Sequence, residues 1–238
     1  MTFSLTHTAS AGSAVDATNF TFAGLSLGAA DATRKIVVTT FGRKSNGLVP
    51  VLPISVSVGG ITATKIVEQL IADSLGSPNE TGAAMWWAEV PAGTNADVVV
   101  NYEGTQLRAA VSIYRIVGDG VELVATDTES VDDGSAISTS LTVNAGGSAI
   151  HALASAGIET VTWTGPTEDA GDSIESFTYS SASGASATAT GTLSVGTRDI
   201  AMVSASFAEA TPSTSGTLGR LKYFIGMGRA FKAINNHR

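Results

Sequence analysis

The chain of 238 residues contains no cysteine, which excludes a disulfide framework and thiolate metal sites and leaves packing and hydrogen bonding to hold the fold. Histidine is nearly as scarce. His7 and His237 lie near the chain ends, and His151, within AIHALAS, reads as a hydrogen-bonded structural side chain in mid-strand. A nucleophile needs a base beside it, and the sequence carries neither a Gly-x-Ser-x-Gly elbow nor a glycine-rich turn closing on Lys-Ser or Lys-Thr. Charged residues make up 14% and aromatics 6%. Three tryptophans poorly supply the aromatic cleft that a glycosidase builds around two carboxyls about 5 to 9 Å apart. The expectation is a chain that is not an enzyme and needs no cofactor.

Targeting signals are missing too. The opening MTFSLTHTASAGSAVDATNF has no basic or apolar segment of a secretory signal peptide. The run without charge from Gly47 to Thr64 holds Pro50, Pro53, Gly59 and Gly60, which suits strands and argues against a membrane span.

What is present is glycine, at 26 residues, with alanine, serine, threonine and valine, a mix that favours closely packed sheets. Ala84 to Val117 reads as three strands separated by Pro-Ala-Gly-Thr and Glu-Gly-Thr turns. Further strands are expected from Asn19 to Gln69, and seven short ones between Val121 and Ala208. A helical turn fits Leu70 to Leu75 before Gly76 and Pro78 break it. RKIVVTTFG resembles GSAIHALAS, and EGTQLRAAVSIYRIV resembles VGTRDIAMVSASFA, so the halves look loosely alike. The predicted fold is all-β, an antiparallel β-sandwich, either jelly-roll-like or two tandem sandwiches, with a C-terminal arm. The boundaries are 1–117 and 118–210 for the halves, or one continuous domain, and 211–238 for the arm. The small-residue stretch Ser180 to Ser194 reads as an edge strand or as a contact strip for a neighbouring subunit.

Charge separates body from arm. Five of the 13 basic residues, Arg220, Lys222, Arg229, Lys232 and Arg238, follow the last acid, Glu209. The other eight stand against 21 acids, so the body carries −13 and the arm +5. Such a body repels nucleic acid. The arm, TLGRLKYFIGMGRAFKAINNHR, spaces its apolar residues for a helix, but Gly226 and Gly228 each cost about 1 kcal/mol there, and alternation over Arg220 to Ile225 fits a strand equally well. Arg220, Leu221, Tyr223, Phe224, Ile225 and Phe231 are the candidate partner-binding residues.

Two acidic segments, DTESVDDGS (Asp127, Glu129, Asp132, Asp133) and PTEDAGDSIE (Glu168, Asp169, Asp172, Glu175), read as loops. Their carboxylates are hard oxygen ligands, but neither matches the calcium-loop spacing, so no metal site is assigned. Trp86 and Trp87 are adjacent, so one ring points into the core and the other is a candidate glycan platform or interface anchor, or packs beneath the long loop between Gln69 and Ala84. Trp163 reads as core next to a turn.

The succession SVSVGGITATKIVEQ, AMWWAEVPAGTNADVVVNYEG, LRAAVSIYRIVGDG, LTVNAGGSAIHALAS and TWTGPTED resembles β-sandwich virion proteins of tailed bacteriophages, of head decoration and minor tail type. The likeness, over about Phe20 to Ala208, is one of strand and turn style. It implies a virion building block that binds other capsid or tail proteins and copies of itself, without nucleic acid or membrane. A carbohydrate-binding or adhesin module is the alternative, and a glycan-degrading enzyme ranks third.

Overall fold

The computed structural model describes residues 2–44, 51–71, 80–194 and 196–210. The described chain is all-β. Its first half forms β1 (Ser4–Ser13), β2 (Ala17–Ser26), β3 (Lys35–Lys44), β4 (Pro53–Val58), β5 (Ile61–Thr62), β6 (Thr64–Ile71), β7 (Glu80–Glu89), β8 (Asn95–Gln106) and β9 (Arg108–Val117). The second half forms β10 (Val121–Gly134), β11 (Ala136–Ser140), β12 (Ser148–Ser155), β13 (Val161–Thr164), β14 (Thr167–Ile174), β15 (Phe177–Gly184), β16 (Thr188–Leu193) and β17 (Arg198–Glu209).

These strands make four antiparallel sheets. Sheet I has the order β2-β8-β4-β5, sheet II β1-β9-β3-β7-β6, sheet III β10-β17-β12-β15-β14, and sheet IV β11-β16-β13. Sheets I and II face each other across a core that includes Phe20, Phe22, Ile36, Val38, Trp86, Val98, Val100 and Ile113. Sheets III and IV enclose Ile137, Leu153, Val161, Leu193, Ile200 and Met202. A third core, with Val37, Phe41, Met85, Tyr114 and Ile116 on one side and Ile150, Phe177, Tyr179, Val203 and Phe207 on the other, joins sheets II and III. The sheets therefore stack in the order I, II, III, IV. At about 10 Å per sheet spacing the slab measures about 30 Å between its outer sheets.

The layering explains the burial patterns. Strands β3, β7, β9, β12 and β17 are covered on both faces and are buried almost throughout. Strands β2, β8, β11 and β16 lie in the outer sheets, and their burial alternates or nearly so. Double coverage also buries hydroxyls, which bond to carbonyls: Thr39 Oγ1 donates to Ser112 O at 3.3 Å, Thr40 Oγ1 to Ala84 O at 3.4 Å, and Ser206 Oγ to Thr142 O at 2.6 Å.

Both halves have the same wiring. Replacing β1, β9, β3, β7 and β6 by β10, β17, β12, β15 and β14 converts sheet II into sheet III, and β2, β8 and β4 likewise correspond to β11, β16 and β13. The segments that look alike in sequence, β3 with β12 and β9 with β17, occupy equivalent places. Across the central core β14 lies against β1, β15 against β9 and β3, β12 against β3 and β7, and β17 against β7 and β6. That reversed order is the relation of a two-fold axis passing near β3 and β12. Among the described strands only β5 has no counterpart.

Several sequence expectations are corrected. Ser4–Ser13 is a strand, pairing along β9, although its polar alternation hides it. The DTESVDDGS segment is not a loop, because β10 runs to Gly134 and pairs with β17. TEDAGDSI is likewise strand β14, paired with β15. Within Ser180 to Ser194 the chain forms the end of β15 and all of β16, each flanked by strands on both sides, so it is not a sheet edge: its small side chains serve close packing between layers. The helical turn expected at Leu70 to Leu75 lies largely outside the described residues.

Candidate functional site

Two surface features bring chemical groups together: an acidic cleft on the second half and a groove at the seam between the halves.

The cleft, about 640 Å³, lies where β13 and β14, the edge strands of sheets IV and III, run side by side without pairing. A bulge in β14 between Glu168 and Ala170 breaks the alternation with β15. Glu168, Asp169 and Asp172 all reach the cleft wall, joined by Ser173, Thr178, Tyr179 and Ser180. Trp163 Nε1 donates to Ser180 Oγ at 2.8 Å, and Ser180 Oγ donates to Glu168 Oε1 at 2.9 Å. This chain of bonds fixes Glu168. A Cβ at Gly171 would come within 2.3 Å of that same Oε1, so a larger residue there would push the carboxylate aside. Asp169 accepts from the Tyr114 hydroxyl at 3.1 Å, tying β14 to sheet II. Burial and then the charge of Asp172 push the Tyr179 phenol up to about 12. At the cleft's end Glu159, 6% exposed, takes Arg198 Nε at 2.7 Å and the Ser155 hydroxyl at 3.2 Å. The wall accepts hydrogen bonds and attracts cations. Among the described residues none of Glu168, Asp169 and Asp172 is in an ion pair.

The other acids divide. Glu175 pairs with Arg108 while the neighbouring Ser176 accepts from Arg43, so the β14–β15 turn is clamped to the first half. Asp127 accepts from the backbone amides of Thr128 and Ser140 at 2.9 and 2.7 Å, bracing β10 against β11. Asp132, Asp133 and Asp199 bring carboxylate oxygens within 4.8 Å of one another. These three are the described residues that could hold a hard cation.

The seam groove surrounds one of the two adjacent tryptophans. Trp86 is turned into the first core, 5% exposed, and its Nε1 has no hydrogen-bond partner. It offers no face to a ligand. Trp87 points the other way, but sheet III covers that face of sheet II, so its ring packs 6.2 Å from Phe207 instead of standing free. Lys35 Nζ sits 4.1 Å above the Trp87 ring, donates to Val121 O at 2.9 Å and lies 3.8 Å from Glu89. Ile61, Thr62 and Thr64 complete a hollow of about 310 Å³. A second hollow of about 410 Å³, sharing Lys35 and Glu89, extends to Pro91, Gly118 and Gly120. The described chain ends there, with the Ala210 amide bonded to Gly120 O at 3.1 Å. The arm candidates Arg220, Leu221, Tyr223, Phe224, Ile225 and Phe231 lie outside the described residues.

Neither described histidine is set up as a catalytic base. His151 is fully buried, with Nδ1 2.7 Å from Ser204 Oγ, and burial lowers its pKa to about 4. His7 Nε2 is 2.9 Å from Ser10 Oγ, but that hydroxyl donates to Ser112 Oγ at 3.1 Å, and the imidazole packs 5.2 Å from Tyr114. Burial lowers the His7 pKa as well.

Sequence reasoning missed the cleft because it took β14 for a loop. The signal that could have found it is the period-2 spacing of Asp169, Gly171 and Ser173 ahead of an aromatic strand. Comparison with protein-family models, curated proteins and solved structures finds no match.

Proposed function

We propose that this chain is a structural component of a phage-like virion, a capsid decoration or minor tail protein, that acts through protein–protein contacts and carries out no catalysis. The observation that supports the reading most is the central core, which welds two like sandwiches into one slab with all three inter-sheet spaces filled by side chains. Such a body suits a scaffold, and the arm beyond Ala210, with its five cations and its aromatics, suits an anchor. The resemblance to β-sandwich proteins of tailed phages points the same way, and the particle is then the place where the chain resides. Cosedimentation with particles lacking this protein tests it. The full chain is expected to dock and a chain ending at Ser215 to remain in solution; absence of docking by both refutes it.

A second reading, a glycan-binding module, draws on the cleft, where Trp163, Ser180 and Glu168 form a fixed polar line. Retention on an immobilised polysaccharide that is lost on Glu168→Gln and Asp172→Asn, but kept on Trp87→Ala, would favour it over assembly.

A further inference from the structure

We propose that the open edge of β13, with the acidic cleft beside it, receives Arg220–Ile225 of a second copy of this chain as an added strand, so that copies join head to tail. The inference rests on the assembly reading above and names its acceptor.

The first support is topological. The halves share their wiring except that sheet I continues past β4 to β5, whereas sheet IV stops at β13. Among the described residues the repeat thus leaves one strand position unfilled, on the side where the cleft opens. Ser194 N donates to Thr160 O at 2.9 Å, and the register pairs Thr162 with Thr192. By alternation the backbone groups of Thr160, Thr162 and Thr164 face β16, and those of Val161 and Trp163 face outward. An edge with unpaired N–H and C=O groups is a template for another strand.

The second support is charge and pattern. Glu168, Asp169 and Asp172 line the cleft without an ion-pair partner among the described residues, Asp169 accepting from the Tyr114 hydroxyl. In a strand, Arg220, Lys222 and Phe224 share one side. That side offers two cations for the carboxylates. No acidic residue after Glu209 opposes the match.

The third is position. The cleft lies at the β17 end where Ile200 is level with Ser155 and, through β12, with Thr178; the chain leaves at the other end, where Phe207 is level with Ser148. Ten residues of strand separate Ile200 from Ala210, about 33 Å. A segment of one copy docked in the cleft of another makes a heterologous contact, which propagates.

The test is complementation between two full-length variants. One carries Glu168→Lys and Asp172→Lys, which spoil the cleft, and the other carries Leu221→Asp and Phe224→Asp, which spoil the arm. Circular dichroism and thermal melting check that both fold. In sedimentation velocity the unmodified chain is expected to form a ladder of oligomers that shortens with added salt. Each variant alone should sediment as a monomer, and their mixture as a one-to-one dimer that grows no further. If the unmodified chain assembles but the mixture does not dimerise, the arm docks elsewhere and the inference falls while the assembly reading stands. If the unmodified chain is monomeric and a Thr162→Cys, Tyr223→Cys chain closes a disulfide within itself, the arm folds back onto its own copy, which also overturns the exchange. If the chain neither self-associates nor docks on particles, both readings fail.

Discussion

Replacing Arg34 by methionine should be among the most damaging single changes in the body. The side chain is 1% exposed. Its guanidinium donates to six backbone carbonyls: Val90 at 2.6 Å, Leu27 at 3.4 Å, Gly28 at 3.0 Å, Ala29 at 3.1 Å, Ala92 at 2.7 Å and Gly93 at 2.8 Å. One cation therefore holds the β2–β3 and β7–β8 connections together. Methionine fills similar space and donates nothing. Ala29, Ala92 and Gly93 are exposed and can turn to water, but Leu27 and Val90 are buried and Gly28 half-buried. Three stranded carbonyls at about 1 to 1.5 kcal/mol each give a loss of about 3 to 4.5 kcal/mol. For a chain of this size that is a fall in Tm of about 10 °C. Lysine, with three donors on a shorter reach, should recover about half. Urea denaturation followed by tryptophan fluorescence reads both variants. A methionine variant within 1 kcal/mol of the parent, or a lysine variant equal to arginine, would refute the argument that the fork geometry and not the charge is what matters.

Three more outcomes follow from the packing. His151 has a folded pKa of about 4 against about 6.5 when unfolded, so the unfolded chain binds more protons between those values and stability falls as pH drops from 6.5 to 4. The difference is worth about 3 kcal/mol at full extent, and His151→Gln should flatten that part of the urea midpoint against pH; identical profiles would count against a neutral buried imidazole. Because the central core joins the halves, thermal unfolding should show one calorimetric transition, with Trp86 and Trp163 changing together when each is the only tryptophan left; two separated transitions would mean that the core does not couple them. Gly42→Ala puts a Cβ 2.5 Å from Val51 O and 3.3 Å from the Tyr102 ring, and should cost about 1 to 3 kcal/mol, an unchanged denaturation midpoint being the contrary result.

The strands with alternating or uninterrupted apolar patterns were legible. Glu80–Glu89 and Arg108–Val117 lie close to where the strand pattern places them, although Asn95–Gln106 runs on through the Glu-Gly-Thr turn predicted at Gly104 and breaks only at Leu107, and His151 lies hydrogen-bonded in mid-strand as expected. What escaped were polar strands. Edge strands β1, β10 and β14 carry serine, threonine, aspartate and glutamate because at least one of their faces or edges meets water, so they lack the apolar signature by which strands are recognised. Arg34 and Glu159 were invisible for a different reason: a lone charge in a sequence does not announce that distant carbonyls or a distant arginine will surround it. Trp87 was legible as facing away from Trp86, but not as resting against Phe207 of the other half.

By itself the sequence determined the fold class, the absence of disulfides and the separation of an acidic body from a basic C-terminal segment, because composition and short-range alternation act locally along the chain. Tertiary structure alone decided that the halves share a third core, that Trp87 is half-buried against a second sheet, and that Glu168 and Asp172 line a cleft next to an edge that no described strand fills. Those features depend on which face of one sheet meets which face of another, and alternation along a strand says that a residue has two sides to choose from without saying what covers each.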